Sequence, residues 1–187
     1  MTKPVYKHPP FVIKTEDNRS ETKRYWLKLT IDNSKTDKII VILKNPSRAT
    51  KDISDKTVFT VTNYIQKNSQ CYKCLNNAGK ITIVNLIPVY ETDSSLLRTM
   101  PNDLFDEKNL NTIDELTFLN KTVIIAWGDH PSGLYNEYQK LKNSVLSILT
   151  KNKTKIYYVG KMSNDNNPKH GQIWGYKDKL IDYIAVR

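Results

Sequence analysis

The sequence of 187 residues predicts an α/β fold, a three-layer α/β/α sandwich around a central, mainly parallel sheet of four strands. The first observation behind this prediction is a set of short runs rich in β-branched residues, at positions 38–43, 81–87, 122–127 and 154–160. Each run is largely apolar, which is typical of strands buried on both faces of a parallel sheet. The second observation is that helical patterns separate the runs at intervals of about 40 residues, as in alternating strand–helix units.

The remaining elements follow in order along the chain. Residues 1–20 are polar and contain prolines, so we expect a flexible N-terminal segment. Residues 21–187 then form one domain, which opens with an additional strand at 24–32, for which an antiparallel edge position is an option. Helices are predicted where apolar residues recur at helical spacing or a capping residue precedes such a run, namely at 57–68 after Ser54 or Asp55, at 109–119, at 134–149 and at 176–184.

The charge of the chain favours a polyanionic partner. There are 29 Lys and Arg against 19 Asp and Glu, a formal net charge of +10. Such an excess attracts nucleic acid, because each neutralised phosphate releases condensed counterions. A general bias toward Lys is the alternative explanation, since Lys, Asn and Ile are abundant throughout. Together with the 11 tyrosines, the composition favours contact with nucleic acid.

Hydropathy and cysteine usage indicate the compartment. No stretch approaches the roughly 18 apolar residues of a transmembrane helix, and the N-terminus lacks the apolar core of a signal peptide. We therefore expect a cytoplasmic protein with no membrane partner, and the two cysteines fit a reducing compartment. Cys71 and Cys74 form a lone C-x-x-C pair, too few ligands for an iron–sulfur cluster or a zinc site. We expect chance or a minor redox role for them, and no metal or other cofactor.

Polar residues follow the predicted strands, where ligands bind in open parallel sheets. Asn45, Asn85 and Asp129 lie at three of these ends, with His130 and His170 in the loops after the third and fourth strands. Amides suit the reading of a flat polar edge, and imidazoles suit charge stabilisation or proton transfer. Each residue also has a structural interpretation: a turn former at Asn45, a helix cap at His130 and a solvated loop residue at His170. For Asn85, burial within an apolar strand favours function.

The order of short motifs resembles a family of small bacterial and phage proteins that is catalogued only as a domain of unknown function. Its typical pattern has Leu-Asn-Pro-Ser, a later Asp-x-Thr, Val-Asn-Leu, Trp-Gly and a terminal Pro-x-His-Pro-Leu. The corresponding stretches here are ILKNPS, DKT, VNL, WG and PKHG, and the resemblance covers most of residues 24–176.

The same layout resembles the uracil-DNA glycosylase superfamily. In that superfamily the first strand delivers a catalytic turn, the second ends in an Asn that reads the extruded base, and a later strand ends in Trp-Gly. The last strand delivers a His-Pro-Ser loop, and the apolar residue after it wedges into the duplex. The resemblance implies a uracil-DNA glycosylase-like fold and a DNA partner, single- or double-stranded.

The resemblance also implies roles for particular residues. Asn45 would position a water and His170 would stabilise charge on the departing base, which makes these two the catalytic candidates. The other candidates are base-binding residues (Asn85, Phe59 and Ser47), a wedge (Ile173 or Trp174) and DNA-contacting residues (Lys44, Arg48 and Lys169). The tempting string His130-Pro131-Ser132 falls one strand too early, so His170 corresponds to the glycosylase histidine, and Pro131 and Ser132 predict a helix start.

Three departures from the glycosylase pattern weaken the expected activity. Asn45 stands where the most active branch has a carboxylate, and an amide can neither act as a base nor offset a developing cation. Ser47 replaces the Tyr that excludes thymine, and Gly171 replaces the Pro after the histidine, which predicts a less preorganised loop. We expect a DNA-binding protein with weak, altered or absent base excision. If it is an enzyme, it is a DNA N-glycosylase, a hydrolase, and full-rate uracil excision is not expected.

Two other functions remain open. The first is a non-catalytic relative that acts through protein contacts, such as binding an acidic DNA-mimic inhibitor of uracil-DNA glycosylases. The second is a nucleotide-processing α/β enzyme. Against the second stand the six unclustered glycines, which form no phosphate loop, and the lack of a carboxylate cluster for Mg²⁺ at the strand ends.

Overall fold

A mixed sheet of seven strands, in the order β1-β2-β4-β3-β5-β6-β7, lies at the centre of the protein. The computed structural model describes residues 6–118 and 122–183. Residues 1–5 of the predicted flexible segment, and the ends at 119 and 184 of two predicted helices, lie outside that range. The strands are β1 (Lys14–Arg19), β2 (Arg24–Thr30), β3 (Asp37–Leu43), β4 (Ala78–Asn85), β5 (Thr122–Ile125), β6 (Lys155–Val159) and β7 (Leu180–Asp182).

The four apolar runs form the parallel centre of this sheet, which confirms the α/β class. β3 pairs in parallel with β4 and with β5, and β5 pairs in parallel with β6. The sheet is nevertheless larger than the four strands expected, because antiparallel strands extend both edges. On one side β2 pairs with β4 and β1 pairs with β2, and on the other side β7 pairs with β6. β2 is the additional strand predicted, and it is internal rather than at the edge.

The sheet begins inside the segment that was expected to be flexible. β1 is a polar strand, KTEDNR, that carries no apolar signal, and its contacts to a neighbouring loop explain its placement. The Asp17 carboxylate accepts a hydrogen bond from the Lys51 backbone N–H at 2.8 Å, and the Thr15 hydroxyl donates to the Lys51 carbonyl. Further upstream, the backbone N–H of Ser54 donates to the Tyr6 carbonyl at 2.8 Å.

The predicted C-terminal helix at 176–184 is wrong, because this stretch contains a turn followed by β7. The Asp178 carboxylate accepts hydrogen bonds from the Gly175 backbone N–H and the Lys169 ammonium group. These bonds close the turn, and β7 then continues antiparallel to β6, with the Leu180 N–H donating to the Tyr72 hydroxyl. Local hydrogen bonding by Asp and Gly competes with helix formation over such a short apolar pattern.

Helices cover both faces of the sheet, so the three layers are as predicted. They are α1 (Lys56–Asn68), α2 (Lys73–Asn76), α3 (Pro101–Leu104), α4 (Glu107–Phe118) and α5 (Tyr135–Lys151), with 3₁₀ turns at Ser94–Thr99 and Gly171–Ile173. One apolar core lies between the sheet and α1, with α2 at its margin, and the other lies between the sheet and α4 and α5.

Two helix starts test the capping predictions. Asp55 is confirmed as the N-cap of α1, since its carboxylate accepts a hydrogen bond from the Val58 N–H at 2.8 Å. The predicted start at Pro131 and Ser132 is too early. Gly133 has a φ of 78° and the Leu134 N–H donates to the Pro131 carbonyl, so these residues form a turn and α5 begins at Tyr135.

Candidate functional site

A cleft of about 470 Å³ opens at the carboxyl ends of the parallel strands, where the sequence placed the site. Its walls come from the loop after β3, the start of α1, the loop after β4 and the loop after β6, together with Tyr6 from the N-terminal segment. Of the predicted residues, Lys44, Asn45, Ser47, Arg48 and His170 line this cleft. These five residues therefore lie around one cleft, and the sequence reasoning did not include the aromatic ring of Tyr6, which also lines it.

His170 is held at the cleft by close packing against glycines. Gly128 has a φ of 68°, and a Cβ on it would lie 2.9 Å from the His170 Cβ. Gly171 is buried: its N–H donates to the Ala126 carbonyl at 3.3 Å, and a Cβ there would lie 2.7 Å from Val61 Cγ2. The loop thus packs tightly onto β5 and α1. A proline at position 171 would lose that N–H and overlap α1, so the packing of this loop requires glycine there.

The imidazole of His170 is neutral at physiological pH. Burial lowers its pKa to about 4, and the nearby positive charge of Lys44 adds to this effect. Nδ1 accepts a hydrogen bond from the Gln172 backbone N–H at 3.3 Å, so in the neutral ring Nε2 carries the proton. The cleft therefore contains a neutral N–H donor, suited to an acceptor or to an anion that develops during a reaction.

Lys44 is the positively charged residue whose charge lowers the pKa of this histidine. It follows directly after β3, its side chain is half-buried, and burial lowers its pKa, opposed by the charge of Asp129. Within residues 6–118 and 122–183 its ammonium group has no hydrogen bond or ion pair, whereas Lys23 and Lys169 are each paired with Asp. A desolvated, unpaired amine is unusual and marks a functional candidate.

Asn45 shapes the turn after β3. Its amide nitrogen donates to the Pro46 carbonyl at 3.1 Å and to the Glu91 carbonyl at 2.6 Å. The Glu91 N–H in turn donates to the Pro46 carbonyl at 3.0 Å, which ties the loops after β3 and β4 together. This supports the turn-former interpretation of Asn45. Its role in positioning a water stays a prediction.

Asn85 does not line the cleft, which corrects its assignment as a direct reader of a base edge. The side chain is fully buried, and its Oδ1 accepts a hydrogen bond from Arg24 Nη2 at 3.0 Å. Arg24 is only 1% exposed and also donates from Nη1 to the Ala49 carbonyl at 2.7 Å. Arg24 therefore joins β2, the end of β4 and the wall of the cleft. Sequence reasoning missed this role because an arginine that opens a strand is normally exposed.

The two wedge candidates differ in position: Ile173 lies at the surface and Trp174 lies in the core. Ile173 is 60% exposed beside His170, as a wedge would be. Trp174 is only 5% exposed: its indole N–H donates to the Lys169 carbonyl and its ring meets Tyr64 edge-on at 5.1 Å. Trp174 is thus a core residue, which corrects its assignment as an alternative wedge.

Phe59 and Lys169 also lie away from the first cleft. The ring of Phe59 packs against Tyr6 at 5.8 Å and is not part of the cleft wall, so Tyr6 is the aromatic group available to a ligand there. Lys169 is ion-paired with Asp178 at 2.7 Å and lines a second cleft of about 430 Å³, which adjoins the first at His170.

The two histidines of the strand-end inventory are separated in space. His130 lines neither of these clefts; its Nδ1 lies 3.0 Å from the Pro131 carbonyl and its ring meets Tyr135 edge-on. It does not cap α5, whose N-cap is Leu134. The choice of His170 over the His130-Pro131-Ser132 string therefore agrees with the geometry.

A polar network that runs from the exposed Asp129 to the buried Asn167 and Lys142 supports the wall of the second cleft. Asp129 accepts hydrogen bonds from the Ser163 hydroxyl at 2.5 Å and from Asn167 Nδ2 at 2.9 Å. Burial raises its pKa, but these hydrogen bonds lower it overall, so the carboxylate is charged. Asn167 passes the contact on to Lys142, whose ammonium group donates to Asn167 Oδ1. These residues are far apart in the sequence and meet only in the folded protein, so the sequence alone does not reveal the network.

The described part of the chain contains no group of three or more His, Cys, Asp or Glu side chains arranged to hold a metal ion. Cys71 is exposed and Cys74 is half-buried, and both are free thiols. No helix in the described residues is both long and apolar enough to cross a membrane.

The structure is that of an α/β protein with a cleft, lined by polar side chains, at the carboxyl ends of the parallel strands of a mixed sheet. Residues 24–171 match the family described as "Protein of unknown function (DUF1643)", and the chain belongs to this family. No curated protein and no solved structure matches it.

Proposed function

We propose that this protein binds nucleic acid and receives one extruded nucleotide in the cleft beside His170, with base-excision activity that is weak or altered. The observation that carries the proposal is the neutral Nε2–H of His170, held in a cleft next to the exposed side chain of Ile173. An extruded base needs a pocket with hydrogen-bonding groups, and the duplex it leaves needs an apolar residue to fill the gap.

The size and charge of the cleft support the same ligand. Its volume of about 470 Å³ falls within the range of small-molecule sites. Lys44, Arg48 and Lys56 line it, against two acidic residues, Asp55 and Glu91. Asp55 is engaged as the cap of α1, and the chain as a whole carries a net charge of +10. A negatively charged backbone entering this cleft meets an excess of positive charge.

Two side chains of the cleft, His170 and Asn45, determine how it would act on a glycosidic bond. When a glycosidic bond breaks, negative charge develops on the departing base, and a neutral donor such as His170 Nε2–H stabilises it. The turn after β3 supplies the amide of Asn45 instead of a carboxylate, so positive charge on the sugar is not offset there. Losing such a contact raises the barrier by several kcal/mol, on the order of 3, which predicts slow excision.

Binding is tested by fluorescence anisotropy with labelled single- and double-stranded oligonucleotides across a salt series. We expect the logarithm of the binding constant to fall steeply with the logarithm of salt concentration. Lys56→Ala removes a charge from the cleft rim, and Lys38→Ala, at the opposite end of β3, is the matched control. The first variant should reduce the salt slope by about 1 and the second should have less effect. Binding without salt dependence, or equal effects of both variants, contradicts the proposal.

A further inference from the structure

We propose that the amine of Lys44 is a nucleophile that forms a covalent bond with C1′ of the sugar held in the cleft. This inference rests on the proposed function and deepens it, because it names the group that performs the chemistry. It also identifies the substrate class: a nucleotide, or an abasic residue, whose C1′ carbon is accessible to an amine.

The position of Lys44 supports this assignment. The residue directly follows the central strand β3, and its backbone is fixed because its carbonyl accepts a hydrogen bond from the Ile87 N–H at 2.9 Å. Its side chain lines the same cleft as His170, close enough for its charge to act on the imidazole. A nucleophile and a group that stabilises the leaving base are therefore present in one cleft.

The environment of the amine supports nucleophilic chemistry. Two other partly or fully buried lysines have acceptors: Lys142 donates to Asn167, and Lys23 is paired with Asp103 and Asp106. Lys44 has no such acceptor in the part of the chain that the structure describes. Desolvation without a partner favours the neutral amine, which is the reactive form, and lysines made nucleophilic in this way form Schiff bases with carbonyl carbons.

A nucleophilic Lys44 also fits the chemistry of the turn at Asn45, which directly follows it. Hydrolysis by water needs a base that activates the water, and the neutral side-chain amide of Asn45 cannot act as a base. A neutral amine attacks carbon directly and needs no such base. Lys44 therefore offers a route to glycosidic cleavage that the Asn45 turn does not.

The step balances as follows. The Lys44 nitrogen lone pair forms a bond to C1′, and the bond from C1′ to the base breaks, with its electron pair leaving on the base. The base accepts the hydrogen bond of His170 Nε2–H and takes up the proton lost from the attacking amine. The nitrogen lone pair then displaces the ring oxygen from C1′, and this oxygen takes a proton from solvent, which gives the open-chain iminium ion. Water adds to C1′ of this ion and the C1′–nitrogen bond breaks, which releases the free lysine and an abasic sugar and returns the proton to solvent.

Reductive trapping tests the inference on the full chain. The protein is incubated with a duplex carrying one abasic site in the presence of sodium cyanoborohydride, which reduces an iminium ion to a stable amine. Adduct is quantified by gel electrophoresis, and the attached residue is identified by peptide mapping. Lys44→Arg keeps the charge and removes the nucleophile, and Lys38→Arg, at the opposite end of β3 and outside the cleft, is the control.

We expect the wild type and Lys38→Arg to form adduct equally, Lys44→Arg to form at least about tenfold less, and the peptide map to identify Lys44. An adduct mapped to another residue, or undiminished trapping in Lys44→Arg, overturns the inference. Salt-sensitive oligonucleotide binding by a wild type that forms no adduct also overturns it and leaves the proposed function intact. A wild type that binds no oligonucleotide overturns both. Because the peptide map is made on the wild type, it identifies the attached residue even if Lys44→Arg folds poorly.

Discussion

Gly128 and His170 lie so close together that a Cβ on Gly128 would be 2.9 Å from the Cβ of His170. Gly128 follows the apolar run of β5, and His170 lies in the loop after β6. The contact therefore connects two neighbouring parallel strands just beyond their carboxyl ends. The Gly128 N–H also donates to the Pro168 carbonyl at 3.0 Å. A residue without a side chain at the end of β5 is thus what lets the histidine loop reach the cleft.

Gly128→Ala should displace His170 and destabilise the protein. Two effects add: the φ of 68°, which penalises any side chain by about 1–2 kcal/mol, and the overlap with His170. Gly133→Ala is a matched control, since Gly133 has a φ of 78° and open space around its Cβ position. Urea denaturation should show Gly128→Ala to be the more destabilised by about 1–3 kcal/mol. Equal losses would mean that contact with His170 has no energetic consequence.

Gly171→Ala should destabilise the loop through α1. The new methyl group would lie 2.7 Å from Val61 Cγ2 and 3.0 Å from Leu43 Cδ2, in a buried region that can give little. We expect a loss of about 1–3 kcal/mol in the free energy of unfolding. In the double variant with Val61→Ala the two losses should be less than additive, because the second substitution makes room for the first. Strict additivity in a double-mutant cycle would contradict the packing described.

Acidification should destabilise the protein through His170. Its folded-state pKa is lowered to about 4, while the unfolded chain has the ordinary value near 6.5, so the unfolded state binds the proton first. The associated stability is complete above about pH 6.5 and falls as the pH decreases toward about 4. His170→Gln removes this titration. Comparison of urea midpoints at pH 7 and pH 5 should therefore show a larger decrease for the wild type than for the variant, and identical decreases would contradict the burial of the imidazole.

Arg24→Ala should be strongly destabilising. The substitution leaves the Asn85 side-chain carbonyl and the Ala49 backbone carbonyl without their donors in a buried site, and it opens a cavity. We expect a loss of about 3 kcal/mol or more, measured by thermal or urea unfolding. Arg98→Ala, at an exposed position, should change stability by less than about 0.5 kcal/mol. If both variants behave alike, Arg24 does not join β2 to the cleft wall as described.

The sequence predicted the elements whose burial is periodic or continuous. The parallel strands carry unbroken apolar runs, and Asp55 precedes its helix with the right side chain, so local chemistry and tertiary structure agree there. β1 was missed because an edge strand held by polar contacts from Thr15 and Asp17 has no apolar pattern. The helix predicted in place of β7 was wrong because the Asp178 turn decided the local conformation.

The candidate site was predictable only in part, for a physical reason. The rule that ligands bind at the carboxyl ends of parallel strands brought Lys44, Asn45 and His170 together correctly. It does not say which side chains at a strand end face the cleft. Asn85 is buried against Arg24, and Trp174 is buried while its neighbour Ile173 is exposed. These outcomes depend on packing between distant segments, which one sequence does not display.

We propose that the cleft beside His170 holds an extruded nucleotide and acts on its glycosidic bond. The most direct measurement is strand scission by hot alkali, after incubation with labelled oligonucleotides that carry uracil, hypoxanthine, mismatches or modified bases. We predict slow, base-dependent scission that disappears in His170→Gln and persists in His130→Gln, since His130 lies outside both clefts. Scission that survives in His170→Gln, or no scission with any base by a protein that binds these oligonucleotides, would contradict the claim.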